Sequence, residues 1–274
     1  MSIKIPEPNG SLMLAWQIRN RHVLLVGGGA VAVSRIELLL QADAKVTVVA
    51  PKIDPTIEEY EKLGLLYKVH RRKFLKDDLK MYEGEASRKL DQFFGLDQFG
   101  PEETEQIEQA VKQEQFALVL TAIDDKNLSR QIYYWCKAGR MQVNIADKPK
   151  QCDFYFGSVV RQGSIQIMIS SNGKSPRLCH KLKHDKLEPL LASLDAKTAV
   201  DNLGKMRGEL RHRVAPGEDT PTIKERMAWN TQVTDLFTIE EWGQFDDTAL
   251  NRLLSFYPKV PQRQDIIVVP LENF

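Results

Sequence analysis

Residues 22–41 read HVLLVGGGAVAVSRIELLLQ, and this stretch decides the fold. His22–Val26 has the character of a short buried strand and runs straight into Gly27-Gly28-Gly29. Ala30–Gln41 then sets Val33, Ile36, Leu39 and Leu40 at helical spacing. Gly27-x-Gly29-x-x-Ala32, lying between a strand and a helix, is the context that a dinucleotide fingerprint requires. The first glycine permits the tight turn. The second lets a pyrophosphate approach the backbone, and Ala32 lets helix and strand pack closely. Free N–H groups at the helix start then face the phosphates. The competing reading is a glycine turn that serves the fold and holds no ligand.

Outward from this unit the alternation continues. Lys45–Val49 is a second strand, stopped by Ala50-Pro51, and Thr56–Leu63 a short helix ending at Gly64. Leu65–Phe74 reads as a third strand, Phe116–Ala122 as a fourth, Leu128–Ala138 as a helix and Gln142–Ile145 as a fifth strand. Alternation of this kind implies a Rossmann-like parallel sheet with helices on both faces, here over residues 1–150. Residues 77–114 interrupt it with eleven acidic and four basic side chains, the composition of a solvated insertion. A small α+β segment, 151–190, follows. Its strands Phe154–Val160 and Ser164–Ser170 are joined at Arg161-Gln162-Gly163. Residues 191–274 read as a helical domain, with a loop at Ala215–Pro221 and an irregular tail after Pro258.

The composition bounds the partners. Of 274 residues, 38 are Lys or Arg and 37 are Asp or Glu, so no global charge argues for nucleic acid or a membrane surface. No apolar run approaches the roughly 20 residues that span a bilayer. Cys136, Cys152 and Cys179 are sparse and odd in number, which reads as reduced thiols. The first residues lack the pattern of a cleaved leader, and a cytoplasmic protein is expected.

Several residues invite chemistry. No carboxylate stands at the end of the second strand to hold a ribose. Asp54 lies past it, so backbone groups of Ala50–Ile53 would take that part, and Lys52 leaves room for a 2′-phosphate. Tyr133 and Lys137 have the spacing of the short-chain dehydrogenase pair, but Leu120 falls where that class carries serine. They read as ordinary helix residues. Asp147 ends the fifth strand, where open α/β sheets place ligands. It is either a base beside the nicotinamide or a turn aspartate ahead of Lys148-Pro149. Residues 148–186 carry eight Lys or Arg against two acids, which points to a polyanionic ligand or to a solvated helix face. Ser175 and Pro176 read as the N-cap and first residue of a helix. His180 and His184 share helical spacing without a third ligand in view. Trp135, Trp229 and Trp242 read as core.

GGGAVA after a strand, VTVVAP, TAIDD, VNIADKP, CDFYFGS and SSNGKSPRL occur in this order. Together they resemble the siroheme synthases, and within them the fungal bifunctional precorrin-2 dehydrogenase/sirohydrochlorin ferrochelatases. The resemblance is strong over residues 12–187, the acidic insertion aside, and weaker in the helical C-terminus. It implies NAD-dependent oxidation of precorrin-2 to sirohydrochlorin, then Fe²⁺ insertion, with the tetrapyrrole in a cleft between domains. It also implies a homodimer built through the middle segment, with no nucleic acid or membrane partner. The family's catalytic aspartate falls on Asp147. Its cofactor contacts fall on Gly27, Gly28, Gly29, Ala30, Val31, Ala50, Pro51, Lys52, Ile53 and Thr121. Substrate contacts would fall on Asn144, Lys148, Ser171, Lys174, Ser175 and Arg177. Lys52 departs from the acidic residue that some relatives carry, and the histidine-bearing stretch after Cys179 replaces small and apolar residues. No permanently bound metal is implied; Fe²⁺ is a substrate. The alternatives are a dehydrogenase without chelatase activity and a non-catalytic dinucleotide sensor.

Overall fold

The computed structural model describes residues 10–84, 90–113 and 115–267, in two compact units: Leu12–Phe156, and Gly157 onward together with Gly10 and Ser11. The first unit is built on five parallel strands: β1 (His22–Val26), β2 (Lys45–Val49), β3 (Lys68–His70), β4 (Phe116–Thr121) and β5 (Gln142–Ile145). Their order across the sheet is β3-β2-β1-β4-β5. The chain winds outward from β1 in one direction and returns to its other side with β4. That reversal opens a crevice at the carboxyl ends of β1 and β4.

Alternation along each strand feeds two cores. Val23, Leu25, Val46, Val48 and Leu120 point to one face. There they meet Ala32, Ile36 and Leu39 of α1 (Ala30–Leu40) and Ile57 of α2 (Pro55–Lys62). Leu24, Val26, Val119, Val143 and Ile145 point to the other face, against Ile132 and Cys136 of α4 (Lys126–Ala138). Burial on both faces explains why these strands are continuous apolar runs. Burial, with Asp153 nearby, pushes the Cys136 thiol up to about 12, so it behaves as a small hydrophobe.

The third strand is shorter than its sequence suggests, three residues in place of Leu65–Phe74. The region read as a solvated insertion begins as core. Asp78 and Leu79 are buried, and Tyr82 bonds Thr47 of β2 through its hydroxyl at 2.9 Å. Burial alone would raise the Asp78 carboxyl. The Arg72 guanidinium, at 2.6 and 2.7 Å, and the Leu75 N–H outweigh it and hold that carboxyl below its ordinary range. Further on, α3 (Pro101–Gln113) buries Ala110 and exposes Glu102, Glu105 and Glu108. It occupies the crossover between β3 and β4, so the acidic stretch supplies an element of the fold. Glu85 and Glu114 of that stretch lie outside the described residues.

His22 carries a pH dependence. It is buried between the rings of Tyr67 and Tyr82, with centroids at 4.6 and 4.5 Å. Burial, then Lys45 and Arg21, lowers its pKa below 6.5. The native state therefore keeps it neutral, while the unfolded chain takes a proton near pH 6.5. Stability present above that pH is lost as the pH falls below it. Melting temperatures at pH 7.5 and 5.5 should show this loss, and His22→Phe, which retains a ring, should reduce it. Parallel pH profiles for the two proteins would remove His22 as the cause.

In the second unit, β6 (Ser158–Gln162) and β7 (Ile165–Ile169) pair antiparallel around a two-residue turn. The turn is Gly163-Ser164, one step beyond the expected tripeptide, because Gly163 supplies the required positive φ of 58°. A helix follows from Pro176 to Leu194, as α5 (Pro176–Leu182), a π-helical turn (Lys183–Leu187) and α6 (Glu188–Leu194). Beyond it, α7 (Ala196–Glu209), α8 (Thr220–Leu236), α9 (Ile239–Gln244) and α10 (Asp247–Ser255) enclose a separate core around Met206, Trp229, Val233, Trp242 and Leu253. The indole N–H groups of Trp229 and Trp242 donate to Lys259 O and Thr234 O, which confirms both as core anchors. No helix among the described residues is long and apolar enough to cross a membrane.

Candidate active site

The three glycines differ in what they must avoid. Gly27 has φ +126°, and a Cβ there would stand 2.2 Å from the carbonyl of Ala122. A Cβ on Gly28 would stand 2.3 Å from Lys52 O. Both glycines answer to the chain's own packing. Gly29 does not: its φ is −96°, and a Cβ would meet nothing within 4 Å. It is the N-cap of α1, makes no side-chain cap, and the first turn of α1 carries no acid. Gly29, Ala30 and Val31 are exposed, so the orphan N–H groups of this turn face an open, positively polarised space suited to a pyrophosphate.

Next to it, Ala50 is buried, Pro51 and Lys52 are exposed, and Ile53 is half-buried. The Asp54 N–H donates to Gly28 O at 2.8 Å, tying this loop to the glycine turn. Asp54 itself caps α2 through Thr56 N–H, a structural duty that takes up the nearest carboxylate. Thr121 ends β4 and is buried, and its hydroxyl lacks a partner among the described residues. That hydroxyl is not open at the surface.

Asp147 lies just past β5, exposed, at φ +59°. The left-handed region suits Asp and Asn, and Asn20, Asp43, Asn172 and Asp195 adopt it here too. The conformation alone therefore does not separate a catalytic from a turn residue. Its neighbours say more. The Ala146 N–H donates to Thr121 O and the Ala122 N–H to Val26 O, so β5, β4 and β1 are laced together where they end. Strand spacing puts the glycine turn and Asp147 about 10 Å apart along one edge.

Sequence reasoning missed Arg35. It projects from α1, its guanidinium 4.3 Å over the Phe156 ring. Burial lowers its pKa, while Cys152 and Asp147, both within electrostatic reach, favour its charged form. The one available signal was a lone cation in an otherwise apolar helix pattern. Cys152 is held by donating to Ile145 O and Lys148 O at 3.2 Å, and burial raises its pKa.

Of the other expected contacts, Asn144 is buried and donates to Phe154 O at 2.7 Å, a structural tie. Lys148 is half-buried beside Asp147. Ser171, Lys174, Ser175 and Arg177 belong to the second unit. Ser171 accepts from Ser175 N–H and Ser175 caps α5, so both hydroxyls serve the helix start. Lys174 and Arg177 are exposed. The basic stretch is partly neutralised, since Lys181 pairs with Asp185 and Lys183 with Glu188. Lys137 pairs with Asp153, in keeping with an ordinary helix residue. Among the described residues no group of three or more His, Cys, Asp or Glu is arranged to hold a metal.

The strand order and the glycine turn define a nicotinamide-dinucleotide-binding α/β protein, and the family described as putative NAD(P)-binding matches residues 14–158. Sirohaem biosynthesis protein central matches 162–184, and sirohaem biosynthesis protein C-terminal matches 193–261. The chain belongs to the siroheme biosynthesis protein family. It is 36% identical to a siroheme biosynthesis protein of Schizosaccharomyces pombe, over 92% of this chain and 82% of that one. It is 34% identical to the corresponding siroheme biosynthesis protein of Saccharomyces cerevisiae, over 93% and 92%. It is 28% identical to a siroheme synthase of Zymomonas mobilis, over 90% of this chain and 45% of that longer protein. In fold it is similar to SirC, precorrin-2 dehydrogenase, with a TM-score of 0.55 at 21% identity, covering 90% of this chain and all of that one.

Proposed function

We propose that this chain oxidises precorrin-2 to sirohydrochlorin with NAD⁺ and then inserts Fe²⁺ to form siroheme. The observation that carries this reading is the shared edge of the sheet. An open phosphate-binding turn at Gly29 and a solvent-facing carboxylate at Asp147 lie along it. The glycine turn and the Ala50–Ile53 loop would hold the dinucleotide, whose nicotinamide supplies the hydride acceptor when bound. That dinucleotide would be NAD⁺, with Lys52 exposed and making no ion pair among the described residues. Asp147 accepts the proton lost from a ring nitrogen during oxidation, and the same carboxylate takes pyrrole protons as the metal enters. Arg35 places a positive charge within electrostatic reach of that carboxylate. Lys174 and Arg177 attract the carboxylates of the substrate. The homodimer would form through β6 and β7, whose Val159, Ile165, Ile167 and Met168 are only half-buried.

The test is a coupled assay from precorrin-2 with and without NAD⁺ and Fe²⁺. Siroheme should form only with both. Sirohydrochlorin accumulating despite added Fe²⁺ would identify a dehydrogenase alone, and NAD⁺ binding without turnover a sensor. If Lys174 and Arg177 act electrostatically, the KM for precorrin-2 should rise with ionic strength, since screening takes hold over about 8 Å at physiological salt. Arg177→Gln should flatten that rise. A salt-independent KM would return these residues to a solvated helix face.

A further inference from the structure

The helix that runs through the π-helical turn carries an arrangement the proposed reaction does not use. His180 and His184 face one another with their Nε2 atoms 3.1 Å apart. The Nδ1 of His184 stands 2.5 Å from a Glu188 carboxylate oxygen. Three side chains at successive four-residue steps thus form a relay from carboxylate to imidazole to imidazole. Glu188 selects the tautomer of His184: its carboxylate accepts the Nδ1–H hydrogen bond, which leaves the Nε2 lone pair free beside His180, the two rings tilted by 54° with centroids 4.2 Å apart. A carboxylate behind a histidine is the usual outer partner of a metal ligand. The π turn, Lys183–Leu187, includes His184, and such turns recur at functional sites.

We propose that His180 and His184 together bind a divalent transition-metal cation at the protein surface and capture the metal substrate before insertion. The geometry fits. At metal–nitrogen distances of about 2.0–2.1 Å, nitrogens 3.1 Å apart subtend about 100°, the angle of neighbouring ligands on one ion. Without metal, a proton on His180 Nε2 bridges the pair. Its transfer to His180 Nδ1 frees both lone pairs, with no change in charge on the protein. Both histidines are exposed, so water completes the coordination and the ion exchanges readily. That suits a cargo ion better than a resident cofactor. Lys181 and Lys183, the nearest cations in the chain, are paired with Asp185 and Glu188, which moderates their repulsion. Imidazole ligands select transition metals over Mg²⁺ and Ca²⁺.

The capture role rests on the chelatase reading; the binding site itself does not. Calorimetric titration of Co²⁺ into the full-length, metal-free protein should give one site that His180→Ala and His184→Ala each weaken at least about tenfold. Glu188→Gln should weaken it about 10-fold or more by releasing the His184 tautomer. Circular dichroism should be unchanged, since these side chains are exposed. Equal Co²⁺ affinity in all four proteins overturns the site. In the insertion assay, with sirohydrochlorin supplied directly, the double histidine variant should raise the KM for Fe²⁺ several-fold and leave kcat at saturating Fe²⁺ intact. An unchanged KM overturns the capture role. If the wild-type chain metallates no sirohydrochlorin, the chelatase reading and the capture role fall together, and calorimetry still decides the site.

Discussion

Asp147→Asn should slow precorrin-2 oxidation and Fe²⁺ insertion alike, each by about 10²–10⁴-fold, the usual cost of a lost general base. The substitution is well suited to the backbone. Asp147 sits at φ +59°, and asparagine occupies that region as readily as aspartate. Alanine would add local strain and confuse the result. The exposed side chain contributes little packing, so the variant should be folded and should bind NAD⁺ with wild-type affinity. Both rates must be measured separately, with sirohydrochlorin supplied directly for the second. Wild-type insertion alongside collapsed oxidation would show that chelation uses another base. Two normal rates would make Asp147 the turn residue that its conformation also permits.

Gly29→Asp should separate the two reactions. The position has ordinary backbone angles and open space around a Cβ, so the fold tolerates a side chain there. Aspartate is also a better N-cap than glycine, so stability should hold or rise by a few tenths of a kcal/mol. Cofactor binding should move the other way. The new carboxylate takes the free N–H groups of the helix start and opposes the pyrophosphate with like charge. A loss of about 100-fold in NAD⁺ affinity, near 2.7 kcal/mol, is expected by calorimetry. Oxidation should fail at ordinary NAD⁺ concentrations, whereas metal insertion into preformed sirohydrochlorin should continue. Unchanged NAD⁺ affinity would place the dinucleotide elsewhere. Substitution at Gly27 or Gly28 could not make this distinction, because a side chain there collides with Ala122 O or Lys52 O and disturbs the fold itself.

The parallel sheet was legible because its strands are buried on both faces and its helices are not. Those two burial patterns write different periods into the chain, and His22–Val26 against Ala30–Leu40 is the plainest case. Capping was legible at Ser175-Pro176 for a similarly local reason. Where long-range packing decides, local signals mislead. The acidic stretch reads as solvated by its composition, yet Asp78 and Leu79 are core, because Arg72 neutralises one and β-sheet neighbours cover the other. Leu65–Phe74 carries strand-forming residues over ten positions, but β2 offers pairing to only three of them.

The sequence by itself determined the class of fold, the glycine turn, the strand-end aspartate and, through its ordered motifs, the family. All of these depend on residues near one another in the chain or on motif order. Only the tertiary structure decided which glycine is free to meet a ligand, since the atoms that crowd Gly27 and Gly28 come from Ala122 and Lys52. It also brought Arg35 within electrostatic reach of Asp147, across more than a hundred residues of chain. It assigned Asn144 and Ser171 to structural hydrogen bonds. In the helix after Ser175, the four-residue spacing of the histidines was visible in the sequence. The close approach of their nitrogens, with Glu188 behind, was not, because side-chain direction and tautomer are set by three-dimensional neighbours and leave no mark in residue order.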